Sequence, residues 1–251
     1  MFEYAFVTDK GLKRSLNEDS IALDDKTVSA SDRKKHRVSL KNNFRAAVFD
    51  GVGGEDCGEV ASSICAQAFR RYCRPERICD RNDVYNLVQC IQNELFKAQN
   101  AEGVEMMTTF VGVSCFKDQL VFMNIGDSRA YLFSDYRIKQ YSYDDTYLNQ
   151  LKKSSSVSKE DLENIDTAHV ITHCFGMRGF DKNHCHSYIL ERKKGDIAIL
   201  MSDGISDIVN ERELEMIILK NKKPQAIVDS VVKLVIERGA HDNYTLVVIK
   251  I

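Results

Sequence analysis

The chain of 251 residues carries 35 basic and 37 acidic side chains, and 43% of its residues are hydrophobic. This length and hydrophobic content suffice for one globular domain with a substantial core, so we expect a single domain over residues 1–251. The nearly balanced charge argues against nucleic-acid and membrane partners and favours a protein or a small molecule. The sequence lacks a secretory signal pattern and any apolar run of the roughly 20 residues that span a bilayer, which predicts a cytoplasmic protein.

Short strand patterns dominate the chain, with helical patterns between them. The strands are predicted at 2–8, 19–24, 44–50, 107–116, 119–126, 129–134, 136–141, 185–190, 197–202 and 244–250. Helical spacing of apolar residues predicts helices around 84–95 and 224–239. Because strands outnumber helices and many are joined by short turns, we expect antiparallel sheets with helices packed outside them.

Two polar segments interrupt this pattern. Residues 28–45 are basic and are interpreted as a solvated loop between two strands. Residues 142–167 are rich in Ser, Asp and Lys, and one short helix is predicted there at 158–165. Since long insertions in compact domains are often lids or binding loops, we expect a lid over 142–167.

The eight cysteines form no C-x-x-C pair, and most fall in apolar helix or strand patterns. They are interpreted as reduced thiols of a cytosolic protein. The alternative is a zinc site, with ligands from two clusters, His169, His173 and Cys174, and His184, Cys185 and His186. On a strand, Cys185 would face away from the histidines on either side of it, which argues against zinc.

The stretch AAVFDGVGGE, residues 46–55, ends an apolar run in Asp50 and then crowds three glycines together. Such a loop could cradle a phosphate or hold a metal. A dinucleotide fingerprint fails because Asp56 stands where the third glycine is required, and the G-K-[ST] of a P-loop is absent. Since the Asp50 carboxylate would repel a bare phosphate, a cation at this loop is the simplest interpretation.

Other acidic residues stand beside apolar runs and close to Gly, Ser or Asn. They are Glu18, Asp19, Asp127, Asp203, Asp207 and Asp242. Each of them alone is an ordinary turn or strand-end residue, and only their recurrence indicates a shared site. Clusters of carboxylates without cysteine suit hard cations, magnesium or manganese.

Seven segments that contain these residues follow one another along the chain. They are TDKGLKRSLNEDS, VFDGVGGEDCGEVAS, MTTFVGVS, MNIGDSRAYLF, VITHCFG, LMSDGISDIV and HDNYTLVVI. In this order they resemble the metal-dependent serine/threonine phosphatases of the protein phosphatase 2C family. The resemblance implies an α+β fold, a four-layer α-β-β-α sandwich of two antiparallel sheets flanked by helices.

The same resemblance implies an activity and partners. The reaction would be hydrolysis of phosphoserine and phosphothreonine by a water or hydroxide that bridges two Mg²⁺ or Mn²⁺ ions. Phosphorylated proteins would be the partners, among them a serine/threonine kinase and its substrates, and the protein would be a monomer. Cations suit this chemistry, because phosphate monoester hydrolysis is among the slowest uncatalysed reactions and needs extensive charge stabilisation.

Matching positions carry the family's metal ligands over to this sequence. Asp50 would bridge the two metals, and the carbonyl of Gly51 would be a backbone ligand. Asp203 and Asp242 would complete the ligands of the first metal, and Glu18 would bind the second.

A third, weaker metal is also implied by the resemblance. Its ligands would be Asp127 and Asp207, together with Asp203. Asp19 would hold metal-bound water.

Three further positions bear on the reaction. Arg14 would grip the substrate phosphate as a permanently charged, bidentate clamp, and Asn243 would support Asp242. Val52 stands where many eukaryotic relatives carry a histidine thought to protonate the leaving group, so the general acid is left open. Met107 stands where a glycine is usual, which would alter a strand start rather than the chemistry.

Other functional classes stay open. The C-x₅-R spacing of a cysteine-nucleophile phosphatase occurs at Cys65 and Arg71, but in a helical stretch without glycine, which argues against it. A catalytically inactive relative is disfavoured because every metal-ligand position is filled. A metal-dependent nuclease is disfavoured because a nucleic-acid groove should be strongly positive, whereas this chain is nearly neutral. Comparing the rates at which the protein hydrolyses a phosphothreonine peptide and a DNA strand would separate these classes.

Overall fold

The structure is a computed structural model that describes residues 2–24, 26–29, 36–40, 43–52, 57–153 and 170–251. Its strands are β1 (Phe2–Asp9), β2 (Asp19–Ala22), β3 (Thr27–Ser29), β4 (His36–Leu40), β5 (Asn43–Asp50), β6 (Phe110–Phe116), β7 (Gln119–Ile125), β8 (Arg129–Ser134), β9 (Arg137–Gln140), β10 (His186–Glu191), β11 (Ile197–Met201) and β12 (Tyr244–Lys250). Its helices are α1 (Gly58–Tyr72), α2 (Arg81–Glu102), α3 (Tyr147–Lys153), α4 (Asp203–Ser206), α5 (Glu211–Lys220) and α6 (Pro224–Glu237).

These strands form two sheets in which the neighbouring strands are antiparallel. The first sheet has the order β4-β1-β12-β11-β8-β9, and the second has the order β10-β7-β6-β5-β2-β3. Hairpin turns join several of the neighbours. Between β8 and β9, for example, Asp135 and Tyr136 have φ values of 51° and 63°, as a two-residue type I′ turn requires.

Helices cover the outer faces of the two packed sheets. Along β1, Tyr4 and Phe6 contribute to the core between the sheets, whereas Ala5 and Val7 contribute to the core beneath α5 and α6. The helices α1 and α2 bury their apolar faces against the second sheet. This arrangement confirms the predicted four-layer α-β-β-α sandwich.

Local sequence signals set the helix ends. The Asp80 carboxylate accepts a hydrogen bond from the Asp83 N–H, and the Asp80 N–H donates to the Asp83 carboxylate, so a capping box begins α2. The same helix ends at Gly103, whose φ of 69° favours glycine. Pro224 occupies the first turn of α6, where its missing N–H costs nothing.

The ten strands predicted from periodicity are confirmed, with ends that shift by a few residues. The prediction of a loop over 28–45 is wrong in part, because β4 and the start of β5 lie in this segment. β4 pairs with β1 at the edge of the first sheet, with Val38 opposite Tyr4. Charged residues are common on edge strands, so a basic composition did not distinguish this strand from a loop.

The polar segment 142–167 also contains a helix that the sequence did not predict. It is α3, Tyr147–Lys153. The short helix predicted at 158–165 lies outside the described residues. Among the described helices, none combines the length and the apolar character needed to cross a bilayer.

Candidate metal centre

Acidic residues from both sheets meet at one end of the sandwich. Asp19 begins β2 and Asp50 ends β5, and the two residues are directly opposite each other in the antiparallel pair. Asp203 follows β11 at the start of α4, and Asp127 follows β7. The charges of Asp203, Asp19 and Asp127 all act on Asp50, so the fold brings four of the predicted residues together.

Two glycines allow the backbone to approach itself closely at this end. A methyl group on Gly51 would lie 2.5 Å from the carbonyl oxygen of Gly58 and 2.9 Å from that of Glu18. A methyl group on Gly204 would overlap the carbonyl oxygen of Asn243. Both glycines directly follow a clustered aspartate, so the close approach accounts for the recurrence of Asp-Gly in the sequence.

Burial and mutual repulsion govern the protonation of the four aspartates. Burial raises the pKa of Asp50 well above its usual value, and the charges of Asp203, Asp19 and Asp127 raise it further. The charge of Asp203 also raises the pKa of Asp19, so repulsion acts throughout the cluster. Among the described residues, no Lys, Arg or His forms an ion pair with any of these four acids. Protein cations therefore leave this negative charge uncompensated.

Two carboxylate oxygens of the cluster are buried without a hydrogen-bond partner, Oδ1 of Asp19 and Oδ1 of Asp127. Burial raises the pKa of each of these residues to about 7, and the charge of Asp203 contributes to both shifts. Buried oxygens with unused lone pairs are costly in a protein unless something binds them. A hard divalent cation prefers such oxygen ligands, so the residues present fit magnesium or manganese.

A buried polar network beneath the cluster was missed by sequence reasoning. Ser202 Oγ donates to Asp19 Oδ2 at 2.8 Å and accepts from the Thr245 N–H at 2.9 Å. Thr245 Oγ1 donates to Thr8 Oγ1 at 2.8 Å, and Asn17 Nδ2 donates to the same atom at 2.8 Å. Polar residues at the ends of otherwise apolar strands were the available signal. The network fixes the orientation of the Asp19 carboxyl.

Two threonines hold the backbone of Asp50. Thr108 Oγ1 donates to the Asp50 carbonyl oxygen at 2.8 Å, and the Asp50 N–H donates to Thr109 Oγ1 at 3.2 Å. Thr109 Oγ1 also lies 2.8 Å from Ser128 Oγ, next to Asp127. These contacts join the end of β5 to the end of β7, which accounts for the Thr-Thr pair in the sequence.

Arg14 and Asp242 form an ion pair at the rim of the cluster. Arg14 Nη2 lies 2.7 Å from Asp242 Oδ2, and the two side chains are 51% and 38% exposed. The hydrogen bond to Asp242 raises the pKa of Arg14, and the charges of Asp242, Glu18 and Asp203 add to this effect. A positive group therefore stands at the entrance to an acidic site.

Asn243 connects the loop that carries Glu18 to the loop that carries Asp242. Its amide nitrogen donates to the carbonyl oxygens of Lys10 and Leu16 at 3.1 and 2.8 Å. Its Oδ1 accepts from the Glu18 N–H at 2.8 Å. The backbone N–H of Asn243, not its side chain, donates a hydrogen bond to Asp242 Oδ1 at 2.8 Å.

Glu18 and Asp207 lie at the margin of the site. Burial raises the pKa of Glu18, and the charges of Glu59 and Asp242 raise it further. Asp207 is exposed at the end of α4, and its charge raises the pKa of both Asp203 and Asp127. All the acidic residues predicted for the site therefore lie in or beside one cluster.

The histidines considered for zinc lie in a separate group. The rings of His173 and His184 have centroids 3.8 Å apart, and His186 Nε2 lies 2.8 Å from Asp145 Oδ1. His169 lies outside the described residues. Within the described ranges, no three His, Cys, Asp or Glu side chains are already arranged as ligands around one point.

A cysteine nucleophile is excluded by the position of Cys65. Its side chain is fully buried in α1, and burial raises the pKa of its thiol well above the usual value. The matching Arg71 is exposed and pairs with Glu94 at 3.3 Å. Cys65 is therefore a core residue.

Comparisons with known proteins agree with this fold. The family model described as protein phosphatase 2C matches residues 22–220. Serine/threonine phosphatase stp of Listeria monocytogenes is 24% identical over 252 residues, which cover 98% of this chain and 94% of stp. The crystal structure of serine/threonine phosphatase PstP/Ppp of Mycobacterium tuberculosis has a TM-score of 0.81 at 24% identity, covering 100% of this chain and 99% of that one. The catalytic domain of PstP in complex with two manganese ions has a TM-score of 0.77 at 26% identity, covering 100% and 99%.

The two-sheet sandwich with outer helices is the fold that these solved serine/threonine phosphatases share. The chain belongs to the protein phosphatase 2C family, and it is a serine/threonine protein phosphatase. This membership decides the functional class against the nuclease.

The repulsion within the cluster gives a prediction about stability. Asp50 has a raised pKa in the folded state, so its contribution to stability is present below its unfolded pKa of about 4 and is lost as the pH rises through the folded value. Asp50→Asn removes this loss. In chelator, we expect the variant to melt higher than the parent by about 2–4 °C or more, the shift that 1 kcal/mol gives in a domain of this size.

The difference in melting temperature should widen from pH 4 towards pH 7, the region in which Asp19 and Asp127 also titrate, with pKa values of about 7. Asp118→Asn, an exposed change in the turn between β6 and β7, is the matched control and should leave the melting temperature unchanged. A variant that melts below the parent at every pH contradicts the repulsion argument. Thermal melting followed by circular dichroism provides the measurement.

Proposed function

We propose that this protein hydrolyses phosphoserine and phosphothreonine at the aspartate cluster, with Mg²⁺ or Mn²⁺ as cofactor. The observation that carries the proposal is the position of Asp50, which lies among Asp19, Asp127 and Asp203 in a cluster with which no Lys, Arg or His of the described residues forms an ion pair. The donors are carboxylates and backbone carbonyls, which suit hard cations. When bound, a pair of such ions would activate a water as the nucleophile and neutralise charge on the phosphoryl group.

The ligands proposed for these ions come from four loops at the same end of the sandwich. Asp50 would hold both ions, because the charges of Asp19, Asp127 and Asp203 surround it, and the carbonyl of Gly51 would be a backbone ligand. Asp203 and Asp242 would hold the first ion and Glu18 the second. Asp19, which Ser202 orients, would accept a hydrogen bond from water in the site.

A third, weaker ion would lie at the exposed side of the cluster. Its proposed ligands are Asp127, Asp203 and Asp207. Asp127 has a buried carboxylate oxygen without a partner, and Asp207 is exposed. A site with one exposed ligand loses more of its field to solvent, which agrees with weaker binding.

Arg14 is proposed to bind the phosphate of the substrate. Its guanidinium stands at the rim and makes one ion pair among the described residues, through Nη2 to Asp242. A guanidinium has five N–H donors, so most of them stay available for phosphate oxygens. Asp242 would thereby position both an ion and the residue that binds the substrate.

The expectations about the wider context stay predictions. They are a single catalytic domain over 1–251, a lid at 142–167, a monomeric state, a cytoplasmic location and a partnership with a serine/threonine kinase. Phosphorylated proteins follow as substrates from the enzyme class itself.

The proposal predicts that turnover depends on Asp50 and on divalent cation. Asp50→Asn should lower the hydrolysis of a phosphothreonine peptide by more than about 100-fold, the upper end of what residues outside a metal's own ligands cost. Chelator should abolish turnover by the parent protein, and added manganese should restore it. Asp118→Asn should match the parent. Substantial turnover by Asp50→Asn, or indifference to chelator, would refute the assignment of the site.

A second prediction concerns the proton that the leaving group needs. Val52 carries no proton to give, and its N–H already donates to the Met107 carbonyl oxygen at 3.0 Å. A serine or threonine alkoxide needs protonation far more than an aryl oxide does, and general acid catalysis is typically worth about 10²–10⁴-fold. Rates over a series of phosphate monoesters should therefore depend steeply on the pKa of the leaving group.

Val52→His should make this dependence shallower by helping alkyl esters selectively, and Val52→Leu is the control that adds bulk without a proton donor. A shallow dependence in the parent protein would show that another residue already donates the proton. The slope of log kcat against leaving-group pKa is the quantity to measure.

A further inference from the structure

An arginine-lined cavity lies at the far end of α1 from the aspartate cluster. Its volume is about 600 Å³, and its charged lining residues are Arg45, Arg70, Arg71, Arg74, Asp24 and Glu76. Positive groups thus outnumber negative ones in a cavity within the size range of ligand-binding clefts.

Arg45 forms the inner wall of this cavity. Its side chain is 11% exposed, Nη2 donates to the Asp24 carbonyl oxygen at 3.1 Å, and Nη1 donates to the Cys73 carbonyl oxygen. Its Nε is buried without a hydrogen-bond partner and lies 3.9 Å from the nearest Asp24 carboxylate oxygen. Burial lowers the pKa of Arg45, and the charges of Arg74 and Arg70 also act in that direction. A buried guanidinium with an unused donor therefore stands beside one carboxylate, that of Asp24, and two like charges, those of Arg70 and Arg74.

The other arginines belong to the end of α1 and the residues after it. Arg71 is paired with Glu94 at 3.3 Å. Arg70 and Arg74 are exposed and form no ion pair with a carboxylate in the described part of the chain. Cations at a helix C-terminus are favoured by the helix dipole, which accounts for Arg70 and Arg71. The helix dipole does not account for Arg45, which lies in β5 and lines the same cavity.

Clustered guanidinium groups recognise phosphoryl groups, through charge-assisted and often bidentate hydrogen bonds. We infer that this cavity is a docking site for a second phosphorylated residue of the phosphoprotein substrate, separate from the site of hydrolysis. The inference rests on the proposed function, because only a protein substrate can present phosphoryl groups to both places.

The fold sets the distance between the two places. Arg45 and Asp50 lie five residues apart on β5, which corresponds to about 17 Å along a strand. The chain then returns from the cluster to the cavity in α1. From Gly58, beside the cluster, to Arg70, at the cavity, the helix extends about 18 Å along its axis. An extended peptide gains about 3.3 Å per residue, so at least five residues must separate the two phosphorylated positions.

A binding measurement tests the docking site without turnover. In chelator, a fluorescent peptide with one phosphoserine should bind the parent protein more tightly than Arg70→Gln/Arg74→Gln by about tenfold, as expected from losing a charged hydrogen bond. The control is Arg137→Gln/Arg212→Gln, two exposed arginines on the other sheet and its outer helices, which should bind as the parent does. Equal affinity in all three proteins would overturn the inference. Equally tight binding of the same peptide with glutamate in place of phosphoserine would overturn the phosphoryl assignment.

A kinetic measurement connects docking to the reaction. The manganese-loaded protein receives a peptide with phosphothreonine and, six residues away, phosphoserine. Arg70→Gln/Arg74→Gln should raise KM for this peptide about tenfold, with kcat unchanged, and should leave p-nitrophenyl phosphate turnover at the parent level. A peptide with a two-residue separation should show no difference between the proteins.

Two results overturn docking, an unchanged KM for the long peptide and an equal loss of p-nitrophenyl phosphate turnover. Failure of the proposed function has a different signature, because the parent protein would then turn over neither substrate and still bind the phosphoserine peptide in chelator.

Discussion

Asp19, Asp50, Asp127 and Asp203 repel one another, and the fold must hold them together against this repulsion. Four carboxyl groups within one buried or half-buried cluster would each prefer water, and no described lysine, arginine or histidine pairs with them. In the protein alone their charge is reduced by raised pKa values. Such an arrangement costs stability and is retained where the charge has a use. We propose that divalent cations and a phosphoryl substrate together give it that use.

The sandwich is built to hold this charge in place. Asp19, Asp50 and Asp127 come from strands of one sheet, and Asp203 comes from a strand of the other, so the two sheets must stay in register for the site to exist. Hydroxyl groups beneath the cluster fix the register locally. Ser202, for example, joins Asp19 in the second sheet to the backbone of β12 in the first. The core between the sheets thus positions the chemistry as well as stabilising the fold.

Much of this could be predicted from sequence because it depends on local patterns. Strand alternation predicted antiparallel sheets with outer helices, and the recurrence of acids close to Gly, Ser or Asn predicted the members of the cluster. The division into two sheets was implied by the family resemblance. Other features depend on contacts between distant segments. The pairing of β4 with β1 is such a contact, since a basic edge strand has the composition of a loop. The orientation of Asn243 towards Lys10 and Leu16 is another, because residues more than 200 positions apart make it. The arginine cavity joins β5 to the end of α1 and has no linear signature at all.

We propose that the aspartate cluster binds the catalytic cations, and a crystal structure of the protein soaked in manganese would test this. Anomalous scattering at the manganese edge locates the ions independently of the protein atoms. Anomalous peaks in contact with Asp50 and Asp203 are the expected result. Strong peaks only at the histidine group around His173 and His184, or an aspartate cluster without manganese at a saturating concentration, would contradict this assignment.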